Sequence, residues 1–125
     1  MMKNEKTVKI LLVDDDKDMC ESLADVIILD SNYNVSYITD PLKALETIKK
    51  EDFSLIIVDY KMPEMNGLDL LKNIKQVKPH IPVFILTAFI SNELIEQAKK
   101  EGAAKILSKF IWPDEIIKHI KEMIK

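Results

Sequence analysis

The sequence predicts an α/β fold: a single doubly wound parallel sheet of five strands covered by five helices. Two observations carry that prediction. Short apolar runs rich in Ile, Leu and Val recur five times, and longer stretches with apolar residues three and four apart lie between them. Turn formers such as Asn32, Pro41, Gly67, Pro79 and Gly102 punctuate the changes of pattern. Strands that are apolar throughout are buried on both faces, and strands alternating with helices form a parallel sheet.

The first strand is Val8 to Val13, ending in Asp14-Asp15-Asp16. A helix from Lys17 to about Leu29 follows, with Met19, Leu23, Val26 and Ile27 expected to face inward and Lys17, Asp18, Glu21 and Asp25 outward. Asn32 to Asn34 forms a turn into a short strand, Val35 to Ile38. Asp40-Pro41 is an N-cap with proline at the first helical position, and Ala44, Leu45 and Ile48 mark the inner face of the second helix. Leu55 to Val58 is a third strand that stops at Asp59. Gly67 opens a third helix with Leu68, Leu71 and Ile74 on one face. Val83 to Leu86 is the fourth strand, ending at Thr87; Ser91 caps a fourth helix with Leu94, Ile95 and Ala98 inward, and Gly102 stops it. Lys105 to Ser108 is the fifth strand, ending at Lys109. Pro113 opens the last helix, faced by Ile116, Ile117, Ile120 and Ile124. These elements fill residues 1–125 as one domain, without a linker or repeat.

Composition narrows the function. With 47% hydrophobic residues the chain can bury a full core. All 18 basic side chains are lysines against 21 acidic ones, so nothing resembles an arginine-based groove reader, and no nucleic-acid partner is expected. Cys20 stands alone, which excludes a disulfide framework and reads as a small buried hydrophobe. The apolar run before Asp14 is too short for a signal peptide or a membrane span, so a cytoplasmic location and no membrane partner are expected.

The chemistry sits at the strand ends: Asp14, Asp15 and Asp16 after the first, Asp59 after the third, Thr87 after the fourth, Lys109 after the fifth. In a parallel sheet these ends share one edge, where ligands bind. A lone strand-terminating Asp is an ordinary solvent-facing residue; the set is not. Converging carboxylates repel unless a cation lies among them, and hard oxygen donors suit Mg²⁺. A lysine and a hydroxyl beside them make a place for a phosphoryl group. Asp16 reads as the N-cap of the first helix. The alternation Asp14, Asp16, Asp18 is a poor calcium loop, because Met19 stands where such a loop needs glycine.

Leu12-Val13-Asp14-Asp15, Val58-Asp59 with Met62-Pro63 and Gly67, Leu86-Thr87-Ala88 and Ser108-Lys109 resemble the receiver domain of two-component response regulators over essentially the whole chain. The resemblance implies a flavodoxin-like sheet of order 2-1-3-4-5. It implies Asp59 as phosphoacceptor from a sensor histidine kinase or phosphotransfer protein. Asp14, Asp15, Asp59 and the backbone carbonyl of Lys61 would hold Mg²⁺, with Thr87 and Lys109 meeting the phosphoryl oxygens. Such a domain is a signalling module that catalyses its own phosphorylation and slow dephosphorylation, not a turnover enzyme. Its output, a homodimer or a downstream effector, would use the face of the fourth helix, fifth strand and fifth helix.

Three positions depart from the family pattern: Phe110 replaces a proline after the lysine, Ile106 an aromatic on the fifth strand, and Trp112 a helix-capping Asp. A trans Lys109–Phe110 bond is expected, since cis costs about 2.5–4 kcal/mol outside proline. Ile106 is stiff at its first torsion and should move little in a switch. Two other classes use similar residues. A phosphatase of the haloacid dehalogenase type would use Asp14, Asp16, Thr87 and Lys109 but leaves Asp59 idle. A flavin carrier needs a Ser/Thr/Gly-rich phosphate loop after the first strand, which is absent.

Overall fold

The computed structural model describes residues 7–124, so both ends of the expected 1–125 domain lie outside the described residues. Its elements run β1 (Lys9–Val13), α1 (Lys17–Leu29), β2 (Asn34–Ile38), α2 (Pro41–Lys50), β3 (Leu55–Asp59), α3 (Gly67–Val77), β4 (Val83–Thr87), α4 (Asn92–Lys100), β5 (Lys105–Ser108) and α5 (Pro113–Ile124). The strands form one sheet in the order β2-β1-β3-β4-β5. Every pair is parallel, as the apolar runs required.

Side-chain alternation along the central strands builds two cores. Leu11, Val13, Ile56, Val58, Val83 and Ile85 face α2, α3 and α4, where they meet Ala44, Ile48, Leu70, Leu71, Ile74 and Ala98. Ile10, Leu12, Leu55, Ile57, Phe84 and Leu86 face α1 and α5, meeting Ala24, Ile27, Ile116, Ile117 and Ile120. The central stretches of β1, β3 and β4 are therefore apolar throughout although their residues serve two different layers, while the edge strands β2 and β5 carry polar residues.

Three helices start on side-chain caps that the sequence announced. Asp16 accepts from the Met19 amide, Asp40 from that of Leu42, and Ser91 from that of Leu94. Asn66 caps α3 in the same way. Gly102 ends α4 at φ +97°, where its amide donates to the Lys99 carbonyl and that of Ala103 to Ala98. Two inner faces differ from expectation. On α1 Ile27 is buried as expected and Leu23 and Val26 pack partly buried against the core, but Met19 is exposed and Cys20 and Ala24 are buried instead. On α3, Leu71 and Ile74 are buried as expected, Leu70 joins them, and Leu68 is only partly buried. No cis peptide bond occurs among the described residues, so Lys109–Phe110 is trans.

Candidate functional site

The alternation that fills the two cores also aims the charged groups. Carried one residue past β1 and β5, it sends Asp14 and Lys109 to the α1/α5 side, the same side as Asp59 at the end of β3. Asp59 is 5% exposed and Asp14 8%, whereas Asp15 is open to water. One carboxylate oxygen from each of Asp14, Asp15 and Asp59 lies within 4.8 Å of the others. The Lys109 ammonium lies 3.2 Å from Asp14 Oδ2 and 3.2 Å from Asp59 Oδ1.

Backbone contacts hold these groups. Asp14 Oδ1 accepts from the Asp16 amide at 2.9 Å, and the Cys20 thiol donates to the Asp14 carbonyl at 3.4 Å. Beyond Asp59, the Tyr60 amide donates to the Leu86 carbonyl, and the Gly67 amide donates to Tyr60 at 2.7 Å. A Cβ on Gly67 would lie 2.8 Å from the Asp59 carbonyl oxygen and 2.9 Å from Tyr60 Cα. Only glycine lets α3 start this close to the acidic strand end.

Charge is out of balance. Burial, then the charge of Asp14, lifts the Asp59 carboxyl from 3.8 to about 6 despite the pull of Lys109. Burial pulls the Lys109 ammonium down, but Asp14 and Asp59 outweigh it and hold it above its usual range. One lysine thus leaves the acidic cluster undercompensated. An all-oxygen donor set in this condition fits a hard divalent cation such as Mg²⁺.

Asp14, Asp15, Asp59 and Lys109 come together as expected. Thr87 is buried at the neighbouring strand end, where alternation turns it toward the α3/α4 side and its Oγ1 accepts from the Phe89 amide at 3.3 Å. Lys61, whose backbone carbonyl was the further expected ligand, is exposed two residues beyond Asp59. Both residues line a groove of about 400 Å³ with Tyr60, Met62, Asn66, Ala88 and Phe89.

Residues 10–121 match the family model described as the response regulator receiver domain. The chain belongs to that family. This receiver domain is 38% identical over 102 residues to the Escherichia coli transcriptional regulatory protein ZraR, which covers 82% of this chain and 23% of ZraR. The chain therefore spans about a quarter of that curated relative. The Brucella abortus response regulator receiver protein CpdR is 29% identical over 116 residues, covering 93% of this chain and 96% of CpdR. A CheY-like receiver domain protein from Methanospirillum hungatei superimposes with a TM-score of 0.89 at 27% identity, covering 95% of this chain and 94% of that one.

Two features of the receiver domain escaped the sequence reading. In sequence Gly67 reads as a turn and helix start, but its tight approach to Asp59 depends on how the fold brings the two backbones together. In sequence Ser108 reads only as part of a motif, yet its Oγ accepts from the Phe110 amide at 3.0 Å. A serine two residues before an unusual non-proline was the available signal.

Proposed function

We propose that this receiver domain takes a phosphoryl group onto a carboxylate oxygen of Asp59, from the phosphohistidine of a sensor histidine kinase or phosphotransfer protein. The observation that carries the reading is the nearly buried Asp59 carboxylate, with the Lys109 ammonium 3.2 Å from Oδ1 and the carboxylates of Asp14 and Asp15 beside it. An Asp59 oxygen attacks phosphorus, the P–N bond breaks, and the imidazole leaves with the bonding pair. Lys109 holds Asp59 in place beforehand and then pairs with the oxygens of the transferred group. Thr87 donates its hydroxyl to a phosphoryl oxygen once it gives up its contact in the loop to Phe89. Mg²⁺ held by Asp14, Asp15, Asp59 and the Lys61 carbonyl would supply positive charge where the phosphoryl oxygens gather.

In this reading residues 1–125 form one signalling module, not a turnover enzyme, and it slowly dephosphorylates itself. The module acts in the cytoplasm. Among the described residues no helix is long and apolar enough to cross a membrane. It passes the signal to a second copy or an effector through the α4–β5–α5 face, with no nucleic-acid contact of its own. Beryllofluoride, a phosphoryl mimic, tests the site. Titration with Mg²⁺ present should shift amide resonances at Asp59, Thr87 and Lys109; equal shifts without Mg²⁺, or in Asp59→Asn, would overturn the reading.

A further inference from the structure

The β5–α5 turn carries Lys109 into the site without the rigid pyrrolidine ring that a proline after it would supply. Phe110 brings a backbone N–H instead, a donor that the turn can tie down. Ser108 takes it: its Oγ accepts from the Phe110 amide at 3.0 Å, while its carbonyl accepts from Ile111 at 3.3 Å. The Lys109 amide, between them, donates to the Thr87 carbonyl at 2.9 Å. Three successive amides are thus tied down, two of them by Ser108, and the residue between Ser108 and Phe110 is the lysine that bridges Asp14 and Asp59. The rings on the same segment give little help. Phe110 is 77% exposed and Trp112 75%, so neither ring anchors the turn, and Ile111 between them is the residue that packs against the α1/α5-side core.

We infer that Ser108 is a positioning residue: its hydroxyl, by capping the Phe110 amide, fixes the turn that delivers the Lys109 ammonium to Asp14 and Asp59. The inference rests on Asp59 being the phosphoacceptor only for its consequence in phosphoryl transfer; the effect on Lys109 is a property of the chain alone. A hydroxyl cap of this kind is short-range and local. Its loss loosens one turn and leaves both hydrophobic layers untouched.

The test uses four substitutions, alone and combined, and two kinds of readout. In the metal-free protein, amide exchange at Phe110 and water exchange of the Lys109 amino protons should both speed up in Ser108→Ala and stay near wild type in Ser108→Thr. With acetyl phosphate and Mg²⁺, Ser108→Ala should accept the phosphoryl group about three- to tenfold more slowly, the size of one hydrogen bond. That slowing should vanish in a Phe110→Pro background, which has no amide to cap, and in a Lys109→Ala background, which has no ammonium to place. Unchanged Lys109 exchange in Ser108→Ala would overturn the inference, and so would equal slowing in all three backgrounds. Wild-type protein that takes no phosphoryl group would sink the proposed function alone, because the exchange readout decides the role of Ser108 without it.

Discussion

Replacing Asp59 by Asn should stabilise the native protein at neutral pH. The folded carboxyl is raised from 3.8 to about 6, mainly by burial and next by Asp14. Between these values the native state holds a proton that the unfolded chain has released, so stability falls as pH rises from about 4 to about 6 and stays lower above. The full displacement corresponds to about 3 kcal/mol. Asp59 is 5% exposed, but water reaching the cluster at the exposed Asp15 softens both the burial cost and the repulsion from Asp14, leaving about 1–3 kcal/mol. That figure already includes the attraction of Lys109, which keeps Asp14 as a partner 3.2 Å away in the variant. Urea unfolding in EDTA at pH 7.5 and pH 4 reads the effect. A gain at pH 7.5 that shrinks toward zero at pH 4 is expected. A variant less stable than wild type at pH 7.5, or a gain independent of pH, would refute the electrostatic account.

Other substitutions test the framework around the site. Gly67→Ala forces a Cβ to 2.8 Å from the Asp59 carbonyl oxygen, and overpacking of this kind should cost about 1–3 kcal/mol in denaturant unfolding. Asp16→Ala removes the cap on the Met19 amide and should cost about 0.5–2 kcal/mol, with Mg²⁺ affinity by titration little changed. Burial pushes the Cys20 thiol up to about 12, so alkylation by iodoacetamide at pH 8 should be far slower in folded than in unfolded protein; comparable rates would contradict its burial. Crystal structures with and without beryllofluoride should show the loop after Thr87 moving while Ile106, packed against the α3/α4-side core, keeps its rotamer.

The layers of the fold were legible because the central strands β1, β3 and β4 are apolar on both faces, and Asp16, Asp40 and Ser91 announced their helices by capping chemistry. The meeting of Asp14, Asp15, Asp59 and Lys109 followed from parallel strand ends sharing one edge. Helix faces were less legible. Ile27, Leu23 and Val26 do pack inward on α1, but the spacing that includes Met19 is as helical as one that includes Cys20 and Ala24, and only packing against α5 and the sheet selects the two smaller residues. Thr87 shows the same limit. Its place at a strand end could be read, but the contact of its hydroxyl with the Phe89 amide depends on how the loop turns. The close approach at Gly67 and the cap on Phe110 are likewise matters of distance between backbones, which no residue pattern encodes locally.

Intact-mass measurement after incubation with acetyl phosphate and Mg²⁺ tests most directly whether Asp59 is the phosphoacceptor. Wild-type protein should gain the mass of one phosphoryl group, and Asp59→Asn should gain none. The same adduct on Asp59→Asn, formed at the wild-type rate, would contradict the account.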